Sequence, residues 1–282
     1  MIPSRRTPDP RPQTPDPQTF RVVILKFDRD AVTRLQRRVR AALPGASCTV
    51  VRTVAEAKRV LASGVPDMFV TGLEAPDGDP LDLLWRATAG PNAVRHSLVV
   101  TRQREPWLLE ALCSLPVGGV CDLVDDAPEN IVGALRAVVE GRRYWSRSLL
   151  QMIGGPGLAR RQLRLLTPTE RVVLALMGDG RDATAAGAFL DLKTRSIESV
   201  LARLRGKLDA HQKAELPVWS ARLGFVRFAA DLTIRVGFGL LLAGYYARSQ
   251  RPLAPTPELR AAYPEAAVLA DLRRSQSRLR AA

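Results

Sequence analysis

From Phe20 to about Val124 the chain alternates short apolar runs with stretches of helical period. The runs FRVVIL from Phe20, CTVV from Cys48, MFVTGL from Met68, SLVVT from Ser97 and GVCDLV from Gly119 are nearly continuous in apolar residues. Such runs suit strands covered on both faces rather than on one. Between the first two, Val32, Leu35, Val39 and Leu43 recur at the three-and-four spacing of a helix with one buried side. The last helix of this part, near Pro128 to Gly141, gathers Ile131, Leu135, Val138 and Val139 on one side. Strands that alternate with helices predict an α/β fold, here a doubly wound parallel sheet over residues 20–143.

Past a linker at 144–160 containing Gly154-Gly155-Pro156-Gly157, which predicts freedom to reorient, the pattern turns all-helical over residues 161–225. Thr167 and Glu170 stand at the ends of a capping box, with Pro168 where no backbone N–H is needed. Val172, Val173, Leu176 and Met177 make the buried side of that helix, and Gly178 and Gly180 bracket its stop. A second short helix is predicted from Ala183 to Leu190 and a third from about Thr194, with Ile197, Leu201, Leu204 and Leu208 on one stripe. A fourth follows over roughly His211 to Leu223. The apolar seam turns inward and leaves a hydrogen-bonding face outward.

The stretch LTPTERVVLALMGDGRDATAAGAFLDLKTRSIESVLARLRGKL, from Leu166 to Leu208, resembles the LuxR-type helix-turn-helix. The resemblance implies a third helix lying in the DNA major groove, its outward residues Lys193, Thr194, Arg195, Ser196, Glu198, Ser199 and Ala202 at or near the bases. Arg203, Arg205 and Lys207, together with Arg195, would supply phosphate contacts. Two departures stand out: Lys193 where members of the family carry a small polar cap, and Glu198 where they often carry a lysine. A carboxylate accepts from cytosine but repels phosphate, so Glu198 implies an altered target or weaker affinity.

Upstream, PDMFVTGLEAPDGDPLDLLWRA from Pro66 to Ala87 is similar to the third strand and following loop of response-regulator receivers. In that alignment the phosphate-accepting aspartate falls on Gly72, which has no carboxylate to act as nucleophile. The acidic pair expected after the first strand is Lys26 and Phe27, with Asp28 alone nearby, which leaves little for Mg²⁺. The lysine expected near Leu123-Val124 is missing, since no lysine occurs between Lys58 and Lys193. Thr101 alone fits the switch hydroxyl. Glu74, Asp77, Asp79 and Asp82 follow the strand in a turn-rich segment, where charges are ordinarily solvated. The resemblance therefore implies a receiver that keeps its fold and has lost its phosphotransfer chemistry. Because the last helix of receivers is a frequent dimer surface, it also implies dimerisation that is constitutive or set by a ligand.

A small-molecule effector is suggested by Tyr144, Trp145, Ser146 and Arg147. Some LuxR-type regulators with degenerate receivers bind cyclic di-GMP through a Trp-X-Ser/Thr-Arg motif in this place, the arginine stacking on guanine. Packing between domains is the competing role for the same four residues.

Charge adds weight to the nucleic-acid reading. The 282 residues carry a formal net charge of +14, and residues 160–213 hold 11 basic against 6 acidic side chains. A basic surface over the reading helices is what phosphate binding requires. Residues 1–19 are proline-rich without an apolar run and read as a disordered arm. Residues 226–282 form a C-terminal extension read as helical, in which Val236 to Ala247 is an apolar run too short for the roughly 20 residues that cross a bilayer. It reads as a buried or dimer-forming helix, and no membrane insertion is expected. Cys48, Cys113 and Cys121 and the two histidines, His96 and His211, show no ligand or catalytic spacing, so the chain reads as a cytoplasmic non-enzyme with no cofactor and no metal.

The sequence thus predicts a regulator that binds double-stranded DNA without aspartate phosphorylation, as a homodimer or as a heterodimer with another regulator. The alternatives are a partner-binding protein with weak DNA affinity and a regulator answering a cyclic dinucleotide.

Overall fold

The structure is a computed structural model that describes residues 19–89, 93–230, 232–248 and 256–257. Most of the proline-rich arm, of the proline-rich 252–264 segment and all of the arginine-rich C-terminus lie outside the described residues.

The alternation of apolar runs becomes a βα succession: β1 Arg21–Leu25, α1 Arg29–Ala42, β2 Ser47–Val51, α2 Val54–Ser63, β3 Met68–Thr71, α3 Pro80–Ala89, β4 His96–Thr101, α4 Pro106–Ser114, β5 Gly119–Asp122 and α5 Pro128–Val139. A further two-residue strand, β6 Tyr144–Trp145, follows. The sheet is wholly parallel in the order β2-β1-β3-β4-β5-β6, with Leu25 opposite Thr71 and Val99 opposite Val120. Strand order reverses between β1 and β3, so the carboxyl ends of those two strands open the crevice where α/β sheets bind ligands. One face buries Val22, Ile24, Val70 and Leu98 against Leu35, Val39, Ile131 and Leu135. The other buries Val23, Phe69 and Val99 against Leu84, Leu108 and Leu112.

Seven more elements follow: α6 Arg147–Gly154, α7 Leu158–Leu165, α8 Pro168–Gly178, α9 Ala183–Leu190, α10 Thr194–Leu208, a single 3₁₀ turn at Lys213–Glu215 and α11 Leu216–Leu223. The fourth predicted helix is therefore split. Pro217 has no N–H to continue a helix begun at His211, and it sits instead in the first turn of α11. The capping box forms as the sequence predicts: the Glu170 N–H donates to the Thr167 hydroxyl, and the Glu170 carboxylate accepts from the Thr167 N–H at 2.7 Å.

The C-terminal extension departs from an all-helical reading. It begins with a two-stranded antiparallel hairpin, β7 Val226–Phe228 and β8 Thr233–Arg235, before α12 Phe238–Arg248. This extension inserts between the sheet unit and the helical unit. The Trp107 indole N–H of α4 donates to the Val236 carbonyl at 2.7 Å, and its ring lies against Phe225. Arg227 donates to the carbonyls of Ala75 and Gly78. Gly237, at φ +59, donates its N–H to Asp79, and Gly239 donates to Asp82. A Cβ on Gly237 would stand 2.9 Å from Leu81 Cδ2, so both its backbone and its close approach call for glycine. Phe69, Trp107, Leu176, Phe189, Leu204, Phe225 and Phe238 share one continuous core, which crosses from sheet to helices through this insert.

Two expectations are corrected by this packing. The segment around Gly154–Gly157 is not a free hinge: α6 and α7 on either side pack on α4, and the Arg171 guanidinium of α8 is paired with Glu110 of α4. The acidic residues after β3 are not merely solvated. Asp77 accepts the Val54 and Ala55 N–H groups at the start of α2, Asp79 accepts those of Leu81 and Asp82 at the start of α3, and both Asp79 and Asp82 tie down the C-terminal extension. Helix N-termini supply donors that favour the ionised carboxylates, against the burial that pushes the Asp79 pKa up to about 6.

Candidate nucleic-acid interface and strand-end site

The helix α10 is laid down by its stripe. Ile197, Val200, Leu201, Leu204 and Leu208 are buried, while Lys193, Thr194, Arg195, Ser196, Ser199, Ala202 and Arg203 are exposed along the opposite side. Lys193 occupies the N-cap position without a side-chain hydrogen bond. The Ser196 N–H donates to the Lys193 carbonyl at 2.8 Å, and no cap side chain covers the N–H groups of Thr194 and Arg195. Gly187 of α9 lets the turn between the two helices close, since a Cβ there would meet the Leu192 carbonyl at 2.7 Å.

Of the ten residues on the predicted reading face, seven share this open surface. Glu198 is half open, and its carboxylate is matched by Lys213 at 2.6 Å from the turn before α11. The repulsion between Glu198 and phosphate that its sequence position implies is thus offset within the chain. Arg205 and Lys207 turn aside. The Arg205 Nε is buried, and the Lys207 ammonium donates to the Leu165 carbonyl at 2.9 Å and to Glu170 at 2.7 Å. Glu170 is almost fully buried; burial raises its carboxyl, but the hydrogen bonds from Lys207 and Thr167 outweigh this and hold it below the ordinary range. Lys207 is therefore engaged at the capping box that starts α8, and Arg203 leans toward the same carboxylate at 3.7 Å while its side chain stays 58% exposed.

At the carboxyl ends of the strands, Gly72 follows β3 in the place the alignment gives to the phosphoacceptor. The Lys26 side chain, at the end of β1, runs across it: a Cβ built on Gly72 would lie 2.8 Å from Lys26 Cδ and 3.1 Å from Lys26 Nζ. The space an acceptor side chain would enter is filled by a cation. Burial lowers the Lys26 pKa, against the pull of Glu74, whose carboxylate lies 4.0 Å away. Asp28 spends its carboxylate on capping α1 through the Ala31 N–H at 2.7 Å. Thr101 is buried and accepts the Gln103 N–H. Leu123, one of the two residues where a lysine is expected, lines the same crevice. Among the described residues no group of three or more His, Cys, Asp or Glu side chains is placed to hold a metal. A Gly72→Asp variant should gain no phosphoryl group on incubation with acetyl phosphate and Mg²⁺, as intact mass would report, because Lys26 occupies the site and would pair with the new carboxylate.

Tyr144 and Trp145 alternate across the edge strand β6, Tyr144 packing on one sheet face and Trp145 on the other. The buried Ser146 hydroxyl donates to Asp126 and accepts the Asp122 N–H at 2.8 Å. Asp122 is itself held by Arg104 and by the Ser148 hydroxyl at 2.7 Å. The four residues read as a ligand motif therefore do not converge on one face; only Arg147 is exposed. Sequence reasoning missed Lys26 as the occupant of the strand-end site and Lys213 as the partner of Glu198.

No protein-family model matches the chain, and no curated protein matches it. Solved structures do. RcsB from Salmonella enterica serovar Typhimurium, bound to promoter rprA in the presence of the phosphomimetic BeF3-, is 21% identical with a TM-score of 0.51, covering 72% of this chain and 98% of that one. The same protein bound to promoter P1flhDC gives 20% identity, a TM-score of 0.48 and 73% and 99% coverage. The isolated REC domain of that RcsB is 17% identical, with a TM-score of 0.43, covering 48% of this chain and 99% of that one. The chain thus shares the fold of the promoter rprA-bound structure, a receiver-like sheet unit followed by a helix-turn-helix unit.

Proposed function

We propose that the protein is a sequence-specific DNA-binding transcription regulator that works without aspartate phosphorylation. In this reading a receiver-like domain over 20–143 carries a helix-turn-helix domain over 161–225, and the extension from 226 joins the two. The observation that carries it is the open polar face of α10, from Lys193 to Arg203, set on a basic unit and left uncovered by the rest of the described chain. RcsB, which shares the fold, is found on promoter DNA. Thr194, Arg195, Ser196, Ser199 and Ala202 are assigned to the bases, with Arg195 and Arg203 toward phosphates. Arg205 and Lys207 are assigned to holding α10 in place rather than to DNA.

Independence from phosphate rests on Gly72 and on the Lys26 side chain above it. The Lys26 side chain fills the space that an acceptor side chain would need. The protein acts as a dimer on two half-sites about one helical turn apart. Sequencing genomic fragments recovered on the purified full chain tests this: an enriched inverted repeat with that spacing is expected, and fragments no different from the input would contradict it.

A further inference from the structure

The crevice that has lost its phosphoacceptor has not closed. A cavity of about 240 Å³ remains at the carboxyl ends of the strands, its wall formed by Lys26, Asp28, Arg34, Arg38, Glu74, Arg102 and Asp126 among others. By liquid volume this equals about eight waters, below the range of roughly 300–1,000 Å³ typical of drug-sized ligands. It suits a small ligand and is too small for a dinucleotide.

The wall is cationic in its unspent groups. Lys26 is 9% exposed at its side chain, and its ammonium makes no hydrogen bond among the described residues; its one ion pair, to Glu74, is at the 4.0 Å limit. Arg34, Arg38 and Arg102 make no salt bridge or side-chain hydrogen bond among the described residues. The acids are differently placed: Asp28 caps α1, and Asp126 accepts from the Ser146 hydroxyl and the Asp122 N–H. A buried ammonium that faces an open cavity and is paired with Glu74 only at the 4.0 Å limit, with Arg34, Arg38 and Arg102 among the other lining residues, leaves room for a further counter-charge. Arginine forks and a lysine point charge together fit the several oxygens of one anion.

We infer that this cavity binds a small metabolite through an oxyanion, a phosphate ester or a carboxylate, seated on Lys26 and clasped by Arg34, Arg38 and Arg102. The Glu74 side of the cavity adjoins Ala75, whose carbonyl holds Arg227 of the C-terminal extension, so occupancy is felt at the element that joins the two units. The inference deepens the phosphate-independent reading by naming what could set the regulator in place of phosphorylation, and its test involves no DNA.

Titration calorimetry on the full chain, with chloride adjusted to constant ionic strength, uses inorganic phosphate and malonate as separate probes. Saturable binding of phosphate assigns the phosphate-ester class, and saturable binding of malonate assigns the carboxylate class. In either case Lys26→Met and Arg102→Ala should each weaken binding about tenfold or more. Arg102 is exposed, so its variant retains the fold and keeps the test decisive should Lys26→Met prove unstable. No saturable binding of either probe, or equal affinity in the wild type and Arg102→Ala, would overturn the inference.

Discussion

Replacing Arg195 with glutamate should reduce DNA affinity by about two orders of magnitude, since a direct contact is worth roughly 1–3 kcal/mol and the variant adds repulsion in its place. Arg195 is exposed in the first turn of α10, and its side chain has no partner among the described residues. Its loss therefore leaves the fold alone and acts only on the bound state. The salt slope should also flatten, because fewer counterions are released per complex. Lys207→Ala provides the contrast. Its ammonium is spent on Leu165 and Glu170, so it should lower thermal stability more than DNA affinity. Fluorescence anisotropy of a labelled site, repeated at several salt concentrations, reads both; equal affinity for the wild type and Arg195→Glu would remove α10 from the interface.

The second large effect lies far from DNA. Trp107→Ala should cost about 3–5 kcal/mol, the range for emptying a buried aromatic site, and should uncouple the two units. Trp107 is 6% exposed. Its indole bonds the Val236 carbonyl, its ring meets Phe225, and the Arg171 guanidinium lies over it. Sheet, extension and helix-turn-helix thus meet at one side chain. In scanning calorimetry the wild type should unfold in a single transition and the variant in two, the sheet unit and the helical unit parting company. A single transition retained in Trp107→Ala would mean that the extension does not weld the units.

Such a weld bears on how the proposed regulator would respond to a signal. The extension holds the β3–α3 loop through Arg227 and Gly237 and the first turn of α3 through Gly239, so this region and the helix-turn-helix unit are parts of one packed body. A ligand entering the strand-end cavity would therefore change the balance of a packed interface rather than the swing of a loose linker.

What the sequence disclosed and what it hid divide along the range of the contacts. The strands and the capping box of α8 were legible because each depends on residues a few positions apart, as with Thr167 and Glu170. The stripe of α10 was legible for the same reason. The hairpin was not: its strands are three residues long, with no Asn-Gly or Asp-Gly turn to announce them, and their stability comes from Ala75, Asp79 and Trp107, over a hundred positions away. That residue 72 is a glycine, with no carboxylate, could be read from one letter. That Lys26 fills the vacated space could not, because it depends on which way one long side chain turns across the neighbouring strand. The same holds at the reading face, where the inward turn of Lys207 and the Glu198–Lys213 pair follow from packing rather than from position along the helix.

The central claim is that α10 reads DNA while the strand-end site takes up no covalent phosphoryl group. One measurement meets it directly: anisotropy titration of the full chain on a recovered genomic site, with and without prior incubation in acetyl phosphate and Mg²⁺, and intact mass taken on the same samples. The account predicts tight, salt-sensitive binding that is the same in both, and no added phosphoryl mass. Binding that arises only after treatment, accompanied by that added mass, would contradict it.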